Sequence, residues 1–164
     1  MNVYDHCNEK TRIALELFCK EINDSDADVF VVMAQKAFCL IQLLKKHGQI
    51  NKDNIYSSAA LEFASINFVD KKIVIIDDIV VSGSALSEIT NKLYKLGVSY
   101  ENISFITIAR DIDFQTMDFT YDQQSILTCA LSLSDPECIE LSYDVAKLLS
   151  YFGEPYDTDF PDYN

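Results

Sequence analysis

The chain has 164 residues, 49% of them hydrophobic and 24% charged, with four glycines and three prolines, which fits one packed domain and excludes a disordered chain. Thirteen basic against 26 acidic residues give a formal net charge of −13, which excludes the basic face that nucleic-acid binding needs. No apolar run approaches the roughly 18 residues of a membrane span, and Met1-Asn2-Val3-Tyr4-Asp5 lacks the build of a signal peptide.

Five cysteines (Cys7, Cys19, Cys39, Cys129 and Cys138) form no Cys-x-x-Cys and read as reduced, buried thiols of a cytoplasmic protein. His6 and His47 offer no metal cluster, so no protein metal site is expected. Apolar spacing predicts a helix over residues 11–22, with Ala14, Leu15, Leu17, Phe18 and Ile22 on its inner face. Asn23-Asp24-Ser25-Asp26 ends it in turn-forming residues. Val29-Phe30-Val31-Val32-Met33 reads as a buried strand, followed by the loop Ala34-Gln35-Lys36-Ala37. A helix is predicted over 38–46, stopped near Gly48, with Phe38, Leu40, Ile41 and Leu44 in the core. Ile55-Tyr56-Ser57 reads as a short strand. The connection 58–70 then carries several apolar residues (Leu61, Phe63, Ile66, Phe68) and neither Lys nor Arg, so it reads as a packed crossover.

The chain is organised around Ile73-Val74-Ile75-Ile76-Asp77-Asp78-Ile79-Val80-Val81-Ser82-Gly83-Ser84-Ala85. Four β-branched residues predict a strand buried on both faces, with two acids where it would leave the sheet. A loop of small residues leads into a helix carrying Leu86, Ile89, Leu93 and Leu96 on one stripe, Lys92 and Lys95 in its last turn and Gly97 as stop. Loop amides and a helix N-terminus suit a phosphate, and the carboxylates of Asp77 and Asp78 suit vicinal hydroxyls. The alternative is a solvated strand end followed by a plain helix cap. A further strand over 103–109 delivers Arg110-Asp111 to the same edge, where Arg110 meets either a ligand anion or a neighbouring acid such as Asp111 or Asp113. Residues 114–129 are ambiguous; Phe114, Phe119 and Tyr121 either stack on a base or pack against protein. A last helix is predicted over 141–152, with Val145, Leu148, Leu149 and Phe152 facing inwards, and Gly153-Glu154-Pro155 ends it. The acidic, aromatic tail 154–164 follows the domain 1–153, and its three aromatics favour a docked tail over a solvated one.

The thirteen-residue central segment resembles the ribose-phosphate signature of type I phosphoribosyltransferases. It departs from the common pattern at Val81, where Thr is frequent, at Ser84, where Gly is frequent, and at Ala85, where a phosphate-binding Thr is frequent. The resemblance implies candidate catalytic residues Asp77 and Asp78 on the ribose hydroxyls, and Val81, Ser82, Gly83, Ser84 and Ala85 around the 5′-phosphate. It also implies a pyrophosphate contact in the loop after the first strand, often with a non-proline cis peptide. Lys36 is the basic residue available there, with a surface lysine as the alternative. The short crossover is similar to that of phosphoribosyltransferase-like modules of bacterial defence systems, as are Ser57-Ser58-Ala59-Ala60-Leu61 and the Pro155-Tyr156 to Phe160-Pro161 ending. That narrower resemblance implies a module working beside a protein partner or a second copy.

The expected fold is a single doubly wound α/β domain with a mostly parallel sheet and helices on both faces. Two functions are expected. One is binding of phosphoribosyl pyrophosphate or a related nucleotide with Mg²⁺ carried on its pyrophosphate, and transfer of the phosphoribosyl group to a nitrogenous acceptor. The other is a sensing or interaction module that kept the phosphate loop and lost the closing loop. The crossover over 58–70 discriminates: packed, it favours the module; free to close, it favours the enzyme.

Overall fold

The computed structural model describes residues 2–63, 65–113 and 126–153. Five strands form one sheet: β1 (Val29–Val32), β2 (Ile55–Ser57), β3 (Ile73–Val80), β4 (Ile103–Asp111) and β5 (Leu127–Leu133). Their order is β2-β1-β3-β4-β5, and every neighbouring pair is parallel. All eight residues of β3 are buried, as a central parallel strand covered on both faces requires.

Four helices cover the sheet: α1 (Glu9–Asp24), α2 (Lys36–Lys46), α3 (Ser84–Lys95) and α4 (Asp135–Tyr151). Alternation along the strands divides the core in two. Phe30, Val32, Val74 and Ile76 pack with Leu15 and Phe18 of α1, Leu40 and Leu44 of α2, and Val145 and Leu149 of α4. Val31, Ile75 and Phe105 face the other way, onto Leu86, Ile89 and Leu93 of α3 and onto Leu61 and Phe68 of the crossover. The alternation slips by one residue across Asp77 and Asp78, so that Ile79 joins the first cluster and Val80 the second.

Several elements differ from expectation. Helix α1 is longer at both ends, starts on an Asn8 cap that accepts from the Thr11 amide, and leaves Leu17 42% exposed on its outer side. Helix α2 begins at Lys36 rather than Phe38. Leu96 is the C-cap of α3 and lies exposed, because the helix has ended before it can turn inwards. Gly97 (φ 96°) stops α3 as expected, and the Val98 amide returns to the Leu93 carbonyl. Strand β5 was not expected as a strand; it pairs with β4 from Phe105↔Leu127 to Asp111↔Leu133. Helix α4 starts six residues before the predicted boundary, on a reciprocal cap in which Ser134 and Glu137 each satisfy the other's backbone amide. The aromatics Phe114, Phe119 and Tyr121 and the tail 154–164 lie outside the described residues.

Candidate functional site

The sheet order reverses direction between β1 and β3. From β1 the chain leaves through α2 on one face towards β2, and from β3 through α3 on the other face towards β4. The two loops therefore part at the C-terminal edge, which is where open α/β sheets hold ligands. Residues 33–35 follow β1 at this edge, and residues 81–83 follow β3. Strand β1 ends at Val32, paired with Ile76, while β3 continues beside β4 through Asp77↔Thr107 to Val80↔Arg110. Asp77 and Asp78 are thus held in a ladder on the β4 side and lie beyond the end of β1 on the other.

This corrects the expectation that the acids emerge from the sheet. They lie within β3, 1% and 3% exposed, because β4 is long enough to keep pairing and because Ile79 and Val80 are drawn into the two cores. Each carboxylate is pinned by the next amide: Asp78 N–H donates to Asp77 Oδ1 (2.8 Å) and Ile79 N–H to Asp78 Oδ1 (2.7 Å). The other oxygen of Asp78 lies 3.9 Å from Lys36 Nζ.

Lys36 is not a surface lysine. It is 1% exposed, and its ammonium donates to the Ser142 carbonyl (2.8 Å) and to Ser142 Oγ on α4. The reason is helical spacing: Lys36 shares the inward stripe of Leu40, Leu43 and Leu44, and Ser142 shares that of Cys138, Leu141 and Val145. From sequence Lys36 is expected in a loop ahead of a helix over 38–46 and Ser142 is not singled out, so neither placement is read there. The Ala34–Gln35 peptide before Lys36 is cis, the form the resemblance associates with this loop, and the Ala34 amide donates to Ser58 Oγ (2.9 Å).

The loop after β3 has the expected build. Gly83 takes a left-handed φ of 81°, which a β-carbon would disfavour, and sets the turn into α3. Gly83, the N-cap residue of α3, makes no side-chain cap bond, and the positive dipole end of the helix opens onto this loop. Ser82 Oγ accepts from the Ser84 amide (3.2 Å) and donates to Ser84 Oγ (3.0 Å), which holds the loop tightly wound. Gly83 is buried, Ser84 exposed, and Val81, Ser82 and Ala85 half-buried. A small cleft beside the loop is lined by Met33, Ser58, Ala85 and Lys92, so the N-terminal half of α3 borders open space.

Arg110 sits at the same edge, beside Val80 on one flank and Ser132 on the other. Its Nε is buried without a hydrogen-bond partner, and among the described residues it makes no ion pair with Asp111 or Asp113. Burial pushes the Asp111 carboxyl above the usual range, reinforced by the neighbouring Asp135. In the crossover, Leu61 and Phe68 are each 3% exposed in the α3-side core, whereas Ala59, Ala60 and Val69 are exposed. No three His, Cys, Asp or Glu side chains among the described residues are placed to hold a metal ion.

A parallel sheet of order β2-β1-β3-β4-β5, with paired acids and a glycine turn at its reversal point, is a doubly wound α/β fold. No protein-family model matches the chain, and no curated protein matches it. Solved structures do. A hypoxanthine-guanine phosphoribosyltransferase from Bacillus anthracis superposes with a TM-score of 0.53 at 15% identity, covering 79% of this chain and 80% of that one. A hypothetical protein from Neisseria gonorrhoeae with bound ppGpp gives 0.55 at 10% identity, covering 83% and 90%. The Leishmania tarentolae HGPRT-ase in complex with GMP gives 0.51 at 13% identity, covering 79% and 80%. The chain therefore has the type I phosphoribosyltransferase fold.

Proposed function

We propose that the chain binds a ribose 5-phosphate unit, as phosphoribosyl pyrophosphate or a nucleotide, in the crevice between the loops after β1 and β3. The start of α3 behind Gly83 carries this reading: it offers a positive dipole end and a glycine turn in a chain whose net charge is −13. Val81, Ser82, Gly83, Ser84 and Ala85 surround the phosphate, and Asp77 and Asp78 accept from the ribose hydroxyls. Arg110 lies at the far side of the same edge, towards the base or a second anion. Mg²⁺ enters with the pyrophosphate as part of the ligand.

The composition of the crossover and its two buried anchors bear on turnover. A phosphoribosyl transfer gains from a closing loop that excludes water and steadies the departing pyrophosphate. Residues 58–70 contain no Lys or Arg, and Leu61 and Phe68 are buried. That supports a nucleotide- or phosphosugar-sensing module. The acid pair supports the second reading, a transferase, because its negative potential would stabilise a cationic, oxocarbenium-like ribose.

Thermal melting with phosphoribosyl pyrophosphate plus Mg²⁺, and with guanosine monophosphate, tests the binding reading. A ligand at a hundred times its Kd adds about 2.7 kcal/mol, a shift of several degrees. Asp77→Asn removes hydrogen bonds to a charged acceptor, worth about 1.5–3 kcal/mol, so it is expected to weaken binding about tenfold or more. Equal binding by this variant would remove Asp77 from the site. Binding without pyrophosphate release leaves the sensing module; release in the presence of a base establishes the transferase.

A further inference from the structure

The buried charged side chains among the described residues are Lys36, Asp77, Asp78 and Asp111, so one cation stands among three carboxyls on one sheet edge. Nothing about helix packing asks for a lysine there. Position 36 lies in an apolar stripe that Leu or Met would continue, and a cation in the first turn of a helix meets the positive end of its dipole. An ammonium withdrawn from water on those terms needs compensation nearby. Lys36 has it from two elements: the Asp78 carboxylate of β3 at 3.9 Å, and the carbonyl and hydroxyl of Ser142 on α4.

We propose that Lys36 is a positioning residue: its ammonium, anchored by Ser142, is the fixed counter-charge that holds Asp78 where a ligand's ribose hydroxyl meets it. This rests on the binding reading above and changes the role first expected for Lys36, which was to touch pyrophosphate itself. With its ammonium under α4, Lys36 acts through Asp78 instead. It also ties the crevice to α4, since Ser142 is the contact through which that helix reaches the acid pair.

The test is a double-mutant cycle of Lys36→Met and Asp78→Asn, melted at pH 7 without ligand and then with phosphoribosyl pyrophosphate and Mg²⁺. Removing one buried partner leaves the other uncompensated, whereas removing both relieves it. Lys36→Met should therefore lower Tm more on its own than when Asp78→Asn is already present. Ligand affinity of Lys36→Met should fall about tenfold or more, the loss expected of a misplaced charged acceptor.

Should Lys36→Met not fold, Ser142→Ala serves: it keeps the ion pair, loosens its anchor, and should weaken ligand binding several-fold with a small Tm loss. Additive Tm losses, or a Ser142→Ala variant with unchanged affinity, would each overturn the proposal. The two readings fail separately. A wild-type ligand shift with Lys36 and Asp78 uncoupled overturns only the positioning role. A wild-type protein that ignores every ligand overturns the binding reading, and the positioning role falls with it whatever the cycle shows.

Discussion

Asp111 closes β4 with its side chain 1% exposed, its Oδ1 accepting from the Asp113 amide and its Oδ2 buried without a partner. Burial and the neighbouring Asp135 raise its pKa, so the folded chain holds a proton there more tightly than the unfolded chain does. The sign follows: stability from this group is present below the ordinary aspartate value of 3.8 and is lost as pH rises towards the raised one. Asp111→Asn keeps the acceptor oxygen and removes the charge. It is expected to melt above wild type at pH 7, with the difference shrinking towards pH 4, measured by calorimetry across that range. The buried thiols obey the same rule: Cys138 is pushed up to about 12, chiefly by desolvation, and Cys19 to about 11. Such thiols stay protonated and unreactive near neutral pH.

At the scale of the element, α4 shows how a short local signal outweighs a longer pattern. Apolar periodicity becomes clear at Leu141, yet the helix begins at Asp135 because Ser134-Asp135-Pro136-Glu137 supplies a reciprocal cap with Pro in the first turn. Glu137 is further tied to Lys10 of α1, and these contacts depress its pKa to about 2. Removing the cap should cost about 1 kcal/mol, so Ser134→Ala is expected to lower the urea midpoint without changing the slope. The crossover over 58–70 is the opposite case. Its apolar residues announced burial, and Leu61 and Phe68 are buried in the α3-side core. Strand β5 was the element missed, although Leu127, Cys129, Leu131 and Leu133 alternate with smaller residues at a period of two. Its seven positions form an edge strand, mostly half-buried or exposed, so it lacks the continuous apolar run that marked β1 and β3.

Across the whole molecule, 26 acidic side chains face 13 basic ones, and most of the ion pairs are exposed, as between Lys20 and Asp24 or Lys72 and Asp26. Exposed pairs of this kind contribute little, whereas the summed repulsion of a net charge of −13 opposes the compact state. Salt shortens the Debye length from about 30 Å at 0.01 M to about 10 Å at 0.1 M. Melting temperature is therefore expected to rise by a few degrees between about 0.01 and 0.3 M NaCl. A fall would mean that attractive surface pairs outweigh the repulsion. Any ligand phosphate meets this same field and depends on the local positive end of α3.

The run Ile73 to Ile76, the acids behind it and the Ser82-Gly83-Ser84 turn were legible without coordinates, because a doubly covered strand demands β-branched residues and a left-handed turn demands glycine. The same holds for the α/β class and for the helix stop at Gly97. Local stereochemistry decides such features, and it is written in neighbouring residues. Only the tertiary structure decided that Asp77 and Asp78 stay inside the sheet, since that depends on how far β4 runs beside β3 and on where β1 stops. It alone brought Lys36 to Asp78 and Ser142 across 42 and 106 positions of chain. Contacts between distant residues follow from how helices pack over the sheet, and no local pattern of residues specifies that packing.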